Sequence, residues 1–218
     1  MKVSDISKVM PILERQVESL GTPWLDKLSS REGNPFTILI SCLLSLRTQD
    51  RITEQASLRL YKIAKTPSDM AKLSVKTIEK AIYPVGFYRV KAKRIKDISL
   101  VLFKEHDSEV PSNIDSLLKL KGVGRKTANL VLTLGYEKPG ICVDTHVHRI
   151  FNRLDFVSTR TPRDTEFALR RKLPRPYWKR INGLLVAFGQ NICKPISPFC
   201  SRCALNKYCS KVGVSKSR

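Results

Sequence analysis

Two residues of opposite charge, separated by an apolar segment, offer the clearest chemistry in this sequence. Lys126 directly follows Arg125 after a glycine-containing turn, and Asp144 lies 18 positions further on. A lysine at the start of a helix lies at the positive end of the helix dipole, and here a like charge precedes it. Both effects favour the neutral amine. Lys126 is therefore a candidate nucleophile. Asp144 can serve as its acidic partner, as the N-cap of the helix that begins near His146, or as both.

A second group of reactive residues lies near the C-terminus, where four cysteines follow the spacing C-x6-C-x2-C-x5-C. They are Cys193, Cys200, Cys203 and Cys209. Because no signal peptide is recognisable, we expect an intracellular, reducing compartment, in which such a group indicates a metal rather than two disulfides. Zinc sites more often use two C-x2-C pairs and only one is present, so the spacing leaves zinc and an iron–sulfur cluster both open.

The turn before Lys126 must join two short helices. The apolar residues at helical spacing on either side are Ile114, Leu117, Leu118, Leu120, Ala128, Leu130, Val131 and Leu134. This spacing predicts a helix-hairpin-helix over about residues 114–134. Its two glycines, Gly122 and Gly124, can adopt positive φ and leave backbone N–H groups open at the start of the second helix, which suits a phosphate. An ordinary αα-corner with a solvent-exposed lysine would give the same pattern.

The charge balance also points to an anionic partner. Forty Lys and Arg against 19 Asp and Glu give a formal net charge of +21 over 218 residues. No apolar run reaches membrane-spanning length, so nucleic acid is favoured over a membrane as the polyanion. A merely very soluble surface would have the same charge. A hydrophobic content of 42% is enough for a packed core.

The remaining apolar residues repeat mostly at helical spacing. They predict a helix over residues 5–20 capped by Asp5, a core helix that begins at Asn34-Pro35, and a further helix capped by Asp50. Residues 67–104 predict two helices around one turn. No alternating strand pattern exceeds four residues, so we expect an all-α fold.

The segment LKGVGRKTANLVL, followed by VDTH, resembles the endonuclease III family of helix-hairpin-helix DNA glycosylases, whose motif is LPGVGRKTA and then VDTH. In that family the hairpin lysine attacks C1′ of a damaged nucleotide and the VDTH aspartate assists. The matching positions here are Lys126 and Asp144. The cysteine loop is similar to the [4Fe-4S] loop of the same family, including the 6-2-5 spacing. The resemblance therefore implies a [4Fe-4S] cluster on the four cysteines.

The chain departs from the family pattern at two places. Lys121 stands where the family usually has proline. Arg47 occupies the register of a family glutamine that enters the gap left by a flipped nucleotide, whereas Gln49 lies two residues later and Asp50 matches. This exchange puts the preference for the opposite base in doubt. The family places a hydrophobic wedge at the position of Phe87, although a Phe at a tight turn can instead pack beneath it.

The resemblance covers nearly the whole chain and implies two helical domains separated by a cleft. A helical barrel domain comprises residues 24–135 and contains the hairpin. A composite domain joins residues 1–23 with 136–218 and carries the cysteine loop, residues 193–209. The candidate lysine and aspartate would come from different domains and meet at the cleft.

The implied activity is that of a bifunctional base-excision-repair DNA glycosylase and AP lyase acting on oxidised pyrimidines, with a Schiff base on Lys126 and β-elimination 3′ to the lesion. We expect a monomer that binds double-stranded DNA with damaged bases or abasic sites and no membrane. We expect it in the cytoplasm, associated with the nucleoid if the source is prokaryotic. The residues expected to contact DNA are Arg47, Gln49, Asp50, Phe87, Lys121, Gly122, Gly124, Arg125 and His146.

Two other classes compete with this interpretation. Mismatch-specific glycosylases that remove thymine, uracil or adenine share the resembling fold but generally lack the hairpin lysine, so Lys126 argues against them. A non-enzymatic iron–sulfur protein that senses or binds DNA would not need both Lys126 and Asp144.

Overall fold

The computed structural model describes the backbone of residues 1–218 and every side chain except that of Glu32. The described chain is all-α, as predicted, and no β-strand is assigned in it. Its helices are α1 (Ile6–Val17), α2 (Trp24–Glu32), α3 (Pro35–Ser45), α4 (Asp50–Tyr61), α5 (Pro67–Lys72), α6 (Val75–Ile82), α7 (Tyr88–Glu105), α8 (Ile114–Lys119), α9 (Arg125–Leu130), α10 (Thr145–Arg153), α11 (Pro162–Lys172) and α12 (Ile181–Asn191). A π-helical turn, Val131–Gly135, continues α9. No helix in this part of the chain is long and apolar enough to cross a membrane.

The helices divide into two compact units. The first unit comprises Met1–Pro23 together with Ile141–Arg218, and the second comprises Trp24–Gly140. In the first unit, α12 packs against both α1 and α10. Its core includes Met10, Phe151 and Phe188, each at most 2% exposed.

Helix α3 forms the centre of the second unit. Every residue from Phe36 to Leu44 is buried, and the helix contacts α2, α4, α7 and α9. The predicted start is confirmed, because the Asn34 side chain accepts a hydrogen bond from the N–H of Phe36 at 2.8 Å and Pro35 fills the first helical position.

Asp5 occupies the predicted N-cap position of α1, but its side chain does not cap that helix, and the cap predicted at Asp50 is wrong. The Asp5 carboxylate accepts a hydrogen bond from the N–H of Lys2 at 2.7 Å, within a 3₁₀ turn that precedes α1. Asp50 is the first residue of α4, and its Oδ2 accepts from the N–H of Trp24 at 2.7 Å. Each carboxylate thus pairs with a backbone donor outside the helix that it was expected to cap, and Asp50 ties α4 to the start of α2.

Residues 67–104 contain three helices rather than the predicted two. Leu73 has an extended backbone, with a ψ of 145°, which ends α5 after six residues. The Ser74 side chain then accepts a hydrogen bond from the N–H of Thr77 at 3.1 Å and begins α6. A Ser N-cap at this point makes a new helix start more favourable than a continuous helix.

One carboxyl in the second unit is held in an unfavourable environment. Asp26 lies in the first turn of α2. Burial raises its pKa from 3.8 to about 6, and the negative charge of Asp50 adds to the increase, while a backbone hydrogen bond opposes it. At neutral pH Asp26 is therefore ionised in surroundings that are less favourable to its charge than those in the unfolded chain.

Asp26→Asn should stabilise the protein at neutral pH and have little effect in acid. The folded-state pKa is the higher one, so the folded protein holds the proton more tightly, and stability is lost as the pH rises from about 4 to above about 6. Urea unfolding should show that the advantage of the variant grows by about 1 to 3 kcal/mol between these limits. An advantage that is the same at both pH values would contradict the assignment.

Candidate functional site

The segment between α8 and α9 forms the hairpin that the spacing predicts. The N–H of Val123 donates to the carbonyl of Leu120 at 2.9 Å and closes the turn. Gly122 has a φ of 87°, in the left-handed region that favours glycine. Gly124 has a φ of −96°, so positive φ is confirmed for Gly122 and is wrong for Gly124.

The start of α9 is accessible from solvent. Lys121, Gly122 and Gly124 are exposed, and a Cβ added at Gly124 would meet no atom within 4 Å. Gly124 occupies the N-cap position but has no side chain with which to satisfy the first N–H groups of the helix. An anion can approach these groups closely.

Lys126 lies in the first turn of α9 and is half-buried. Helix α9 packs against α3, in which Cys42 is 1% exposed. Burial raises the pKa of the Cys42 thiol to about 12, while the charge of Lys126 lowers it and the charge of Asp26 raises it further. The positive charge of Lys126 is therefore near enough to the core of the second unit to affect the pKa of this thiol. Cys42 stays a neutral thiol, as expected of a small buried residue.

Asp144 lies in the first unit, after the buried residues Ile141–Val143. Its Oδ1 accepts hydrogen bonds from the N–H groups of His146 and Val147, both at 2.9 Å, so the predicted N-cap is confirmed. The side chain is 8% exposed. These contacts fix the orientation of the carboxylate at the start of α10.

The two histidines of α10 have different surroundings. Nδ1 of His148 lies 2.7 Å from Oγ1 of Thr165 on α11. Nδ1 of His146 lies 3.2 Å from Arg149, beneath Gly189 of α12, where an added Cβ would be 2.3 Å from that nitrogen. The close approach of α12 therefore requires glycine and holds the His146 ring.

Two exposed residues of the second unit lie beside each other. Arg47 follows α3 and Phe87 precedes α7, and the guanidinium carbon is 5.9 Å from the ring centroid. Phe87 is 64% exposed, so it does not pack beneath its turn. Both residues have left-handed backbones, with φ of 53° and 58°. Gln49 is exposed, and Asp50 is half-buried with one oxygen bonded to the start of α2.

All four C-terminal cysteines are free thiols that line one pocket. The apolar part of the lining includes Ile150, Phe188, Ile192, Phe199 and Leu205. Burial raises the pKa of the Cys203 thiol to about 11, a backbone hydrogen bond opposes the increase, and the other three sulfurs add to it. Among the described side chains, no group of three or more His, Cys, Asp or Glu is arranged as around a single metal ion.

A buried arginine that the sequence motifs do not include organises the cysteine loop. Arg153 is 7% exposed and donates to Sγ of Cys193 at 3.3 Å and to the carbonyls of Lys194 and Pro195, both at 2.6 Å. The N–H of Lys211 donates to Sγ of Cys209 at 3.4 Å. An Arg three positions after the apolar Ile150, on the buried face of α10, was the available signal.

Three cations surround one aromatic ring of this loop. The side-chain charges of Lys194, Arg202 and Arg218 lie 5.2, 5.5 and 4.0 Å from the ring centroid of Phe199. Such contacts stabilise cations without a carboxylate partner.

The helical fold and the hairpin define a class of DNA repair protein, and comparison with known proteins agrees. The model of the HhH-GPD superfamily of base excision DNA repair proteins matches residues 40–175. The chain is 49% identical over 179 residues to endonuclease III of Thermotoga maritima, covering 82% of this chain and 84% of that protein. It is 41% identical over 202 residues to the chloroplastic endonuclease III homolog 1 of Arabidopsis thaliana, covering 88% of this chain and 53% of the longer relative.

A solved structure gives the same result. The structure of a trapped endonuclease III–DNA covalent intermediate matches with a TM-score of 0.85 and 30% identity, over 97% of each chain. The chain therefore belongs to the endonuclease III family of the HhH-GPD superfamily, as its motifs predicted.

Gly122→Ala should destabilise the protein by about 1 to 2 kcal/mol, because an L-residue at a φ of 87° is strained. Its Cβ would also lie 2.3 Å from Nε of Arg94. Gly124→Ala is the matched control, since its backbone is extended and its Cβ would meet open space. Urea unfolding of the two variants should show a larger loss for the first than for the second. Equal losses would contradict the observed hairpin.

Proposed function

We propose that the protein is a bifunctional DNA glycosylase and AP lyase that removes oxidised pyrimidines from double-stranded DNA. The observation that carries this proposal is Lys126, in the first turn of the hairpin's second helix at the position of the family's attacking lysine. The similarity to an endonuclease III that was trapped covalently on DNA supports it. We place the protein with its substrate in the cytoplasm, at the nucleoid if the source is prokaryotic.

Lys126 acts as the nucleophile. Its neutral amine attacks C1′ of the damaged nucleotide, the new C–N bond forms as the glycosidic bond breaks, and the base leaves with the bonding electrons and is protonated. Opening of the sugar ring gives the Schiff base. Loss of a C2′ proton then breaks the C3′–O bond, and the strand is cut 3′ to the lesion.

Asp144 assists this reaction as a carboxylate of fixed orientation. It stabilises the positive charge that develops on the sugar and accepts a proton during the attack. The two N–H groups that donate to its Oδ1 keep the side chain in place between steps.

The hairpin and the nearby cations bind the DNA backbone. The hairpin backbone around Gly122 and Gly124 contacts a phosphate, and Lys121 and Arg125 add positive charge next to it. His146 lies at the start of α10, in the first unit, and also contacts the DNA. Asp50 supports the Arg47 loop from within, through its bond to the N–H of Trp24.

Arg47 and Phe87 occupy the space that the flipped nucleotide leaves. Phe87 is an exposed apolar side chain that can wedge between base steps, while Arg47 donates hydrogen bonds to acceptors on the base opposite the lesion. Gln49 lies in the same loop and contacts the DNA beside them.

The four cysteines hold a [4Fe-4S] cluster. Their fit rests on four free thiols around one largely apolar pocket, and on the N–H donors of Arg153 and Lys211, which offset negative charge on sulfur. When bound, the cluster supplies four iron–thiolate bonds that keep the loop folded. The loop then presents its cations to the DNA backbone.

Lys126→Gln should abolish covalent capture of the protein on DNA. Wild-type protein with borohydride should form adducts on thymine-glycol and abasic duplexes but not on undamaged DNA. Lys121→Gln is the matched control, because it removes a charge from the same hairpin and should weaken DNA binding while leaving capture intact.

Asp144→Asn should lower the rate of base removal by about 10² or more, while the Asn side chain keeps the N-cap and the fold. Single-turnover kinetics with thermal unfolding as the stability check separates these effects. For the earlier variant, Lys126→Gln, covalent capture on DNA that persists would overturn the proposed role of Lys126 as the nucleophile.

The cluster assignment predicts about four irons and four sulfides per chain. Cys203→Ala should lose iron, whereas Cys42→Ala, which removes a buried thiol from the other unit, should keep it. Elemental analysis of the purified proteins decides the matter. Stoichiometric zinc in place of iron would show that the metal is wrong.

A further inference from the structure

A buried lysine lies behind the two exposed residues that the proposed function assigns to the gap in the DNA. Lys91 is in α7 and is 6% exposed. Its Nζ donates to the carbonyl of Leu44 at 2.8 Å, to the carbonyl of Leu46 at 2.6 Å and to Oγ1 of Thr48 at 3.1 Å. All three acceptors belong to the end of α3 and the loop that follows it. Burial lowers the pKa of Lys91 to about 8.

These contacts do the work of a helix C-cap. The last carbonyls of a helix have no partner within it, and a cation at that end is favourable. Here the cation comes from α7, more than 40 positions along the chain. An apolar residue in place of Lys91 would leave the carbonyls of Leu44 and Leu46 without this donor. Keeping them in their present positions would then cost free energy.

A second set of contacts links the same loop to the turn before α7. Oγ1 of Thr48, which accepts from Lys91, also accepts from the N–H of Gly86 at 3.2 Å. A Cβ added at Gly86 would lie 2.7 Å from the carbonyl oxygen of Arg47. The two backbones therefore touch, and only glycine permits the approach.

Arg47 and Phe87 lie on either side of this junction. Each has a left-handed backbone, which costs a residue other than glycine about 1 kcal/mol or more and persists only where the surroundings enforce it. Lys91 is bonded to both neighbours of Arg47, and its own N–H donates to the carbonyl of Phe87 at 3.0 Å.

We propose that Lys91 is a positioning residue that holds Arg47 and Phe87 as one preformed pair for entry into the DNA duplex. Lys91 itself is buried and acts through these residues. The proposal rests on the proposed function, which gives the pair its role in the gap. A pair that is ordered before binding loses less entropy on insertion, and Arg47 then meets the opposite base from a fixed direction.

Lys91→Met tests this, because methionine keeps the length of the side chain and removes its donors. Lys96→Met is the matched control: Lys96 also lies in α7 and donates to the carbonyl of Leu73 at 2.8 Å, at the end of α5. The measurement is the single-turnover rate of thymine-glycol removal with different bases opposite. Lys91→Met should lower the rate by about 10 to 100-fold. It should also reduce the differences in rate between duplexes with different bases opposite the lesion. Lys96→Met should remain within about twofold.

A double-mutant cycle separates positioning from general stability. In a Phe87→Ala background, Lys91→Met should have little further effect on the rate, because the pair through which it acts is already lost. An equal effect in both backgrounds, or an equal effect of Lys96→Met, would overturn the proposal. If Lys91→Met does not fold, Thr48→Val removes the hydroxyl that joins Lys91 to Gly86 and is judged by the same cycle.

The experiment also distinguishes this inference from the proposed function. A wild-type protein without activity on thymine glycol would refute the assigned activity. Arg47→Ala and Phe87→Ala variants that match wild type would refute the role of the pair. Loss of activity in those two variants with wild-type behaviour of Lys91→Met would refute only the role of Lys91.

Discussion

Backbone groups at the ends of helices need partners, and in this protein those partners determine where the functional residues lie. Asp144 caps α10 with the carboxylate that is proposed to assist the reaction. The start of α9 has glycine at the N-cap, with no side chain to cap the helix, and the phosphate is proposed to bind there. The end of α3 depends on an ammonium from α7. A residue that satisfies a helix end is held firmly, and a helix start without a capping side chain is accessible to an anion.

The features that sequence predicts well are those encoded by local spacing. The hairpin, the Asn34-Pro35 start of α3 and the Asp144 cap each depend on residues within a few positions of one another, and the structure confirms them. The activity was predicted from a motif that matches the family at many consecutive positions, and not from the fold. The [4Fe-4S] cluster and the individual DNA contacts remain proposals, because spacing alone identifies neither a metal nor a contact.

The misjudged or missed features depend on contacts between distant positions. Asp50 was assigned to its own helix, but its carboxylate binds a backbone N–H 26 residues away. No motif in the sequence marks Lys91 or Arg153, yet both are buried and bonded to carbonyls of other elements. The net charge therefore overstates the cations available to DNA, because some of them hold the protein together. Carbonyl oxygens and the ring of Phe199 stabilise cations that the 19 acidic residues are too few to pair.

The division of the chain affects how it can fold during synthesis. The second unit is one continuous segment, Trp24–Gly140, so it can complete its core as soon as that segment leaves the ribosome. The first unit needs α1 together with α12, so the first helix emerges early and must wait for its packing partner. Its apolar face is exposed in the interval. The nascent chain therefore carries a finished domain while α1 still lacks the partner that covers its apolar face.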